Sequence, residues 1–304
     1  MGSRPLAGVY AAALTPLKAD FTPDIEILPE FLGFLADRDC HGALLMGTTG
    51  EGPSFSLRER TEIWQSACQV HHVHPDFHLL AGTGTPSLQE TTALTRTAFN
   101  LGFDGAVILP PYYFRSATQE GLFRWFSEVI RKAVPSSKNI LCYHIPQLTG
   151  VTLSIDLLMR LRDAFPDRCV GIKDSSGDPK FAKTLGEKLS SDFVVLTGND
   201  KLFSTALESG ASGCITASAN LISPCLRKIW DSYEQGSQEI ETQSWVRELR
   251  TKIDNFRSPP ALYKFLLSHY FNFPRWPVRP PLLPLPQELE QKAISEIIIN
   301  PELR

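Results

Sequence analysis

Short apolar runs alternate with longer amphipathic stretches over the first 235 residues of the chain. Each short run is apolar almost throughout, which is typical of strands that are covered on both faces and lie in a parallel sheet. Strands are therefore predicted at Val9–Leu14, Gly42–Met46, His78–Ala81, Gly105–Leu109, Ile140–His144, Val170–Asp174, Phe193–Thr197 and Gly213–Thr216.

The stretches between these runs repeat their apolar residues at helical spacing. Helices are predicted at Ile25–Arg38, Leu57–His72, Leu88–Leu101, Gln119–Val134, Ile155–Phe165, Phe181–Leu189, Phe203–Ser209 and Leu221–Gln235. Eight repeats of a strand and a helix predict an α/β fold, the (β/α)8 TIM barrel. An open doubly wound sheet is the alternative, but "GTGTPS" at 82–87 lacks the glycine spacing of a nucleotide-binding loop.

The pattern changes after residue 235, where helices are predicted at Glu239–Asn255, Pro260–Tyr270 and Gln287–Ile298. Between the last two lies Pro274–Pro286, whose six prolines exclude a regular helix or a central strand. We expect this segment to be extended and held on the surface. The chain is therefore divided into a catalytic barrel, 1–235, and a C-terminal helical domain, 236–304.

Composition and charge narrow the functional classes. The chain has 304 residues, 42% of them hydrophobic, which is enough to bury a large core. Its net charge is −3 and its basic residues are scattered, so no nucleic-acid partner is expected. No apolar run reaches the ~18 residues that cross a membrane, and the N-terminus lacks a signal-peptide core, so a soluble cytoplasmic protein is expected. The six cysteines form no CxxC pair and are interpreted as reduced residues rather than metal ligands or disulfides.

A lysine ends the sixth predicted strand, in "CVGIKDSSGD" at 169–178. One interpretation of Lys173 is a side chain that reaches solvent from the barrel mouth or pairs with Asp174. The other is catalytic, because TIM barrels carry their chemistry at the C-terminal ends of the strands. A lysine that has lost its water favours the neutral amine, which attacks a carbonyl to form a Schiff base. The protonated imine then stabilises a carbanion on the next carbon, as in a class I aldolase.

Other strand ends hold groups that such a mechanism needs. Tyr143, on the neighbouring strand, is a candidate proton shuttle, or else a core tyrosine with a satisfied hydroxyl. The turn "GTTGE" at 47–51 offers two hydroxyls and several backbone amides to a carboxylate, or else is a simple turn in which Glu51 is a polar cap. Tyr112 and Tyr113 follow two prolines, where tandem aromatic residues are usually packing.

Four motifs occur in order: "GTTGE", "PPYY", "YHIPQLTG" and "GIKDSSGD". Together they resemble the dihydrodipicolinate synthase / N-acetylneuraminate lyase family of pyruvate-dependent class I aldolases, over nearly the whole chain. The resemblance implies a (β/α)8 barrel with a C-terminal helical domain and a homotetramer built from two tight dimers. It implies pyruvate and an aldehyde as reactants. It implies no metal or organic cofactor, because the lysine imine acts as the electron sink.

Matching motif positions suggest roles for individual residues. Lys173 resembles the family's Schiff-base lysine and Tyr143 its proton shuttle. Thr48 and Thr49 resemble the pair that binds the pyruvate carboxylate. Thr48 and Tyr113 match a hydroxyl relay, in which the tyrosine reaches across the tight dimer into the neighbouring site.

The chain departs from the family where the second substrate is bound. Leu148 occupies the position at which dihydrodipicolinate synthases have an arginine for the carboxylate of aspartate semialdehyde, and leucine cannot form that ion pair. Leu57 and Arg60 replace the histidines of lysine-sensitive enzymes. Lys201 and Ala217 replace an acidic residue and a serine of the neuraminate lyases.

The second substrate is expected at the remaining strand ends. Gly198 and Ile215 match positions that line the pocket near the bound keto acid. The acceptor half is expected near Gln147, Leu148, Asn199, Asp200, Lys201 and Ser218. This pattern favours a 2-keto-3-deoxy sugar acid or a related hydroxy-oxo acid. The alternatives are dihydrodipicolinate synthesis, a neuraminate-lyase-like or dehydratase activity, and a non-catalytic barrel that binds a keto acid.

Overall fold

Eight parallel strands close into a barrel in the computed structural model, which describes residues 6–189 and 192–299. Each strand pairs with the next along the chain, and the eighth pairs with the first. The strands are β1 Gly8–Ala12, β2 Gly42–Leu45, β3 His78–Gly82, β4 Gly105–Ile108, β5 Asn139–His144, β6 Cys169–Asp174, β7 Val194–Thr197 and β8 Gly213–Thr216. The predicted (β/α)8 barrel is confirmed.

Helices follow the strands around the outside of the barrel and continue into the C-terminal region. They are α1 Leu28–Asp37, α2 Leu57–Ala67, α3 Leu88–Asn100, α4 Gln119–Ala133, α5 Pro146–Thr149, α6 Ile155–Ala164, α7 Pro179–Leu189, α8 Phe203–Glu208, α9 Ala219–Glu234, α10 Ile240–Ile253, α11 Pro259–Phe271 and α12 Gln287–Glu296. The predicted second helix is shorter than expected, because Cys68–His72 continue it as a 3-10 helix. The short helix α5 was not predicted.

Several βα loops end in a hydroxyl that caps the next helix. The side chains of Ser56, Ser87, Thr118 and Ser154 each accept a hydrogen bond from a backbone amide in the first turn. Such caps satisfy an amide that has no partner inside the helix. Each of these loops therefore ends at a capped helix, which restrains the loop above the C-terminal end of its strand.

The barrel interior and its outer shell form separate apolar layers. Inside, Leu44, Leu80, Val107, Leu141 and Leu196 fill the space between the strands. Outside, alternate residues of the same strands pack against the helices. The interior is therefore packed below the mouth, and polar chemistry is confined to the C-terminal ends of the strands.

The C-terminal helices share a core with the barrel. Leu262 and Trp276 belong to the same buried cluster as Val9 and Leu35. The proline-rich segment has no regular structure and is anchored by Arg279, which donates to the carbonyl of Phe21. The segment is thus irregular, as predicted, but Trp276 and Leu285 bury it partly in the core, so it does not lie wholly on the surface. The division of the chain at residue 235 stays a prediction.

The described part of the chain shows neither a membrane-spanning helix nor a metal-binding group of side chains. Within 6–189 and 192–299, no helix is both long and apolar enough to cross a membrane. The same ranges contain no group of three histidine, cysteine or acidic side chains able to hold a metal ion. All six cysteines are free thiols.

Candidate active site

Lys173 lies inside the barrel near the end of β6. Its Cα is paired with that of Tyr143 on β5, so both side chains point into the barrel at the same height. Lys173 is only 3% exposed, and its Nζ donates a hydrogen bond of 3.2 Å to the Tyr143 hydroxyl. The Nζ also lies 4.2 Å from the centroid of the Tyr143 ring. The amine is thus largely removed from water and held against a phenol.

The hydroxyl of Tyr143 is the centre of a small polar cluster. It lies 3.4 Å from the Thr48 hydroxyl and also interacts with Ser175. Burial raises the pKa of Tyr143, but the charge of Lys173 and the hydrogen bonds with Thr48, Lys173 and Ser175 outweigh it, so the pKa lies below its usual value. A phenol with a lowered pKa releases its proton more readily, which suits a proton shuttle.

The turn after β2 presents its polar groups to this cluster. Thr48 is exposed at the barrel mouth and Thr49 is half-buried. The turn is closed by hydrogen bonds from Glu51 N to Thr48 O, 3.1 Å, and from Gly52 N to Gly47 O, 3.0 Å. Within the described ranges, the amides of Thr48 and Thr49 donate to no backbone acceptor. Free amides and hydroxyls on one turn form a concave site suited to a carboxylate.

Asp174 does not pair with Lys173. It is on the opposite face of β6, where its carboxylate accepts a hydrogen bond from Ser176 N, 3.0 Å, and lies 3.2 Å from His144 Nδ1. His144 packs against Phe181 of α7. The interpretation of Lys173 as the ion-pair partner of Asp174 is therefore wrong, because Asp174 faces the helices.

Ser175 and Gly198 complete the wall beside Tyr143. A Cβ atom at Gly198 would lie 2.0 Å from Ser175 Oγ, so the glycine leaves room for the serine that interacts with Tyr143. Ile215 is fully buried in the same interior cluster as Tyr143. The structure therefore places Gly198 beside Ser175, and Ile215 in the same interior layer as Tyr143.

Tyr113 is separate from this cluster. Its side chain is 76% exposed on the loop after β4, and it packs edge-on against Phe114. Within the described residues of this single chain, it makes no hydrogen bond to Thr48. Its role as a relay therefore stays a prediction, and its exposure leaves it accessible to a second copy of the chain.

Comparison with known proteins identifies the family. The sequence model of the Dihydrodipicolinate synthetase family matches residues 5–299. The chain belongs to the dihydrodipicolinate synthetase family. An uncharacterized DapA-like lyase of Chloroflexus aurantiacus is 36% identical over 92% of each chain. The 4-hydroxy-tetrahydrodipicolinate synthase of Coxiella burnetii is 29% identical, over 94% of this chain and 95% of its own.

A solved structure agrees with this assignment. Dihydrodipicolinate synthase from Agrobacterium tumefaciens has a TM-score of 0.86 and 29% identity, and the match covers 96% of this chain and 99% of that one. Members of the dihydrodipicolinate synthetase family are class I lyases that use pyruvate with aldehydes. The protein is therefore an enzyme, a pyruvate aldolase-lyase of the Schiff-base type.

The residues predicted to line the second-substrate side of the barrel mouth differ in exposure and in hydrogen bonding. Leu148 is 59% exposed on α5. Gln147 donates a hydrogen bond of 2.7 Å from Nε2 to Ser175 O, and Asn199 accepts one of 3.2 Å from Lys201 N. Leu148 therefore presents apolar surface, while the two amides stabilise the loops after β5, β6 and β7.

Three predicted acceptor residues contact the C-terminal helices. Asp200 is fully buried and pairs with Arg250 of α10. Lys201 Nζ lies 2.7 Å from the carboxylate of Asp254, and the Ser218 hydroxyl lies 2.9 Å from that of Tyr263. Each is thus engaged by the C-terminal helices, and the prediction that they bind the acceptor stays a prediction.

Sequence reasoning missed two residues that support the family's motif residues. Ser175 interacts with Tyr143, and its position two residues after Lys173 was the available signal. Lys264 pairs with Glu51 of the "GTTGE" turn. Its signal was a lone lysine inside the apolar run of α11, "ALYKFLLSHYF". Glu51 is therefore the acidic half of a buried ion pair and not a surface cap.

Proposed function

We propose that this protein is a pyruvate-dependent aldolase that works through an imine on Lys173. The supporting observation is the connected row of Lys173 Nζ, Tyr143 OH and Thr48 Oγ1, with separations of 3.2 and 3.4 Å. The Lys173 amine, once it has lost its proton, adds to C2 of pyruvate, and the resulting carbinolamine takes up a proton on its oxygen and loses water. Tyr143 lies where it can deliver and remove the protons of these steps.

The Thr48–Thr49 turn holds the pyruvate carboxylate in this proposal. Its free amides and hydroxyls would orient the keto carbon toward Lys173. The protonated imine draws electrons from C3, so a C3 proton is released and an enamine forms. The enamine attacks an aldehyde, which forms a carbon–carbon bond, restores the imine and leaves an alkoxide that takes up a proton. Water then hydrolyses the imine, which frees the keto acid and Lys173. In the reverse direction the carbon–carbon bond breaks and the aldehyde leaves. No organic cofactor or metal is required in this scheme.

For the second substrate, we propose a 2-keto-3-deoxy sugar acid or a related hydroxy-oxo acid. Cleavage of a keto-deoxy sugar acid releases a neutral hydroxyaldehyde, which needs no guanidinium partner. The exposed Leu148 supports this choice, because an apolar residue on α5 cannot pair with a distal carboxylate.

Dihydrodipicolinate synthesis is the second candidate, and one observation favours it. A Cβ atom at Gly150 would lie 2.6 Å from Cδ of Arg115, so this exposed arginine packs two residues beyond Leu148. Arg115 could therefore supply the positive charge that Leu148 lacks. The Coxiella burnetii relative carries that synthase name at 29% identity.

Borohydride trapping tests the imine. With pyruvate and borohydride, the wild-type protein should gain the mass of one reduced pyruvyl group per chain, because the reduced imine is a stable amine. Lys173→Ala should gain none. The proposal fails if wild type forms no adduct, or if the adduct survives in Lys173→Ala.

A substrate panel tests the acceptor. Purified protein is assayed for pyruvate release from 2-keto-3-deoxy acids and hydroxy-oxo acids, and for pyruvate use with aldehydes. We expect cleavage of a keto-deoxy acid to be at least about tenfold more efficient than reaction with aspartate semialdehyde, since a missing ion pair costs at least that factor. Efficient use of aspartate semialdehyde that Arg115→Gln abolishes would instead support the synthase.

A further inference from the structure

We propose that the buried pair of Glu51 and Lys264 positions the carboxylate-binding turn from the C-terminal helical region. Lys264 of α11 is thus a positioning residue for the reaction, although it lies outside the barrel. The inference rests on the proposed function, because it assumes that residues 47–52 bind the pyruvate carboxylate.

Both members of the pair are removed from solvent and fully engaged. Glu51 is 2% exposed and Lys264 is 1% exposed, and Lys264 Nζ lies 2.6 Å from Glu51 Oε1. The same amine donates a hydrogen bond of 2.7 Å to Pro277 O. The other carboxylate oxygen accepts one of 2.8 Å from Arg279 N. One carboxylate therefore connects the turn to α11 and to the proline-rich segment.

Glu51 is coupled to Thr48 through the backbone of the turn. Its amide donates to the Thr48 carbonyl, and its φ of 57° lies in the left-handed region that few non-glycine residues adopt. The turn has little free space, since a Cβ atom at Gly52 would lie 2.0 Å from Met46 O. Thr15 also donates to Gly50 O at 2.7 Å. A shift of the Glu51 side chain would therefore displace the Thr48 backbone.

The energetics of a buried pair favour a positional role. An ion pair in a protein interior adds little stability relative to apolar residues, but loss of one partner leaves a buried charge that must move, protonate or take up water. Burial lowers the pKa of Lys264, and the charge of Glu51 opposes that shift. Each charge thus requires the other in place, which fixes the distance between α11 and the turn.

Arg279 reinforces the same connection. Its guanidinium donates to the carbonyls of Ser54, 2.8 Å, and Phe21, 2.8 Å, and it pairs with Glu59 at the start of α2. The proline-rich segment therefore contacts residues on both sides of the turn in space. The Lys264 amine and the Arg279 amide both bond to the turn itself, through the two carboxylate oxygens of Glu51, and of these two groups only the Lys264 amine carries a charge.

The test compares Lys264→Met with wild type by borohydride trapping at increasing pyruvate concentration. We expect the half-saturating pyruvate concentration to rise on the order of tenfold or more, because a small displacement of a binding group has effects of that size. The trapping rate at saturating pyruvate should change much less. The double variant Glu51→Gln/Lys264→Met should recover part of the affinity, because no buried charge is left unpaired.

Two controls separate positioning from general damage. Arg275→Met removes another ion pair of the proline-rich segment, with Glu290, and should leave pyruvate affinity unchanged. If Lys264→Met does not fold, Glu51→Gln decides; assayed below its unfolding temperature, which should fall because Lys264 loses its buried partner, its half-saturating pyruvate concentration should rise.

The outcomes distinguish this inference from the proposed function. Unchanged pyruvate affinity in a folded Lys264→Met, or in Glu51→Gln where that variant decides, overturns the inference alone. If wild type forms no adduct at any pyruvate concentration, the proposed function falls and the inference falls with it. A raised half-saturating concentration with a preserved rate at saturation supports both.

Discussion

At the residue scale, Tyr143 occupies the position on which proton transfer depends. It accepts a hydrogen bond from Lys173 and lies beside Thr48, whereas Tyr10, another buried interior tyrosine, has a hydroxyl without a partner among the described residues. The two rings belong to the same apolar cluster. Replacing each tyrosine by phenylalanine therefore distinguishes the chemical role of the Tyr143 hydroxyl from the packing role of the ring.

Tyr143→Phe should slow formation of the trapped adduct by roughly 100-fold or more, because it removes the proton shuttle but keeps the ring. Tyr10→Phe should retain the wild-type rate. The pKa of Tyr143 lies below its usual value, so as the pH rises its phenol loses the acidic proton before an ordinary tyrosine does. The alkaline decline of the wild-type rate should thus begin at a lower pH than the titration of an ordinary tyrosine and be absent from the residual rate of Tyr143→Phe. Equal rates in the two phenylalanine variants would contradict this role.

At the element scale, the strands could be predicted from the sequence, but the contacts of their loops with distant helices could not. Continuous apolar runs fixed the eight strands, and the alternation of side chains placed Tyr143 and Lys173 on one face. The contacts of the loop after β7 could not be predicted, because its partners are distant in sequence. Asp200 lies 50 residues from Arg250, and a local pattern contains no information on such a pair.

The contacts of Asp200 predict a structural role for that loop. Asp200→Ala should lower the free energy of unfolding by about 3 kcal/mol, because it leaves the Arg250 charge without its buried partner. Pyruvate affinity should be unchanged. Urea unfolding measures the first quantity and borohydride trapping the second. Arg58→Ala, which breaks an exposed pair with Glu62, should change stability by less than about 1 kcal/mol.

The opposite result for Asp200→Ala would support the prediction that Asp200 binds the acceptor. If Asp200→Ala keeps its stability and loses activity only with the second substrate, then the side chain contacts the acceptor after all. The structure makes the first result the expected one, since Asp200 also bonds to Thr216 and its backbone carbonyl to Gln243.

At the scale of the whole molecule, the barrel and the helical tail are one packed unit in the described residues. The sequence suggested an appendage after residue 235, because its helical pattern contains no sign of what it covers. In the structure, α11 packs into the apolar layer that surrounds the barrel and carries the buried partner of Glu51. The residues that form the motifs were readable from the chain, but the residues that hold them in place were not.

The exposed Tyr113 leads to a prediction about assembly. We propose a homotetramer of two tight dimers, in which Tyr113 enters the site of its neighbour, so Tyr113→Phe and Lys173→Ala are each expected to be nearly inactive. Refolding the two variants together at equal concentration should restore about a quarter of wild-type activity, because half of the dimers are mixed and each has one intact site. If Tyr113 acts within its own chain, a mixed dimer contains no intact site and nothing is restored. Activity assays on the separate and mixed variants, with wild type refolded in parallel, decide between these arrangements.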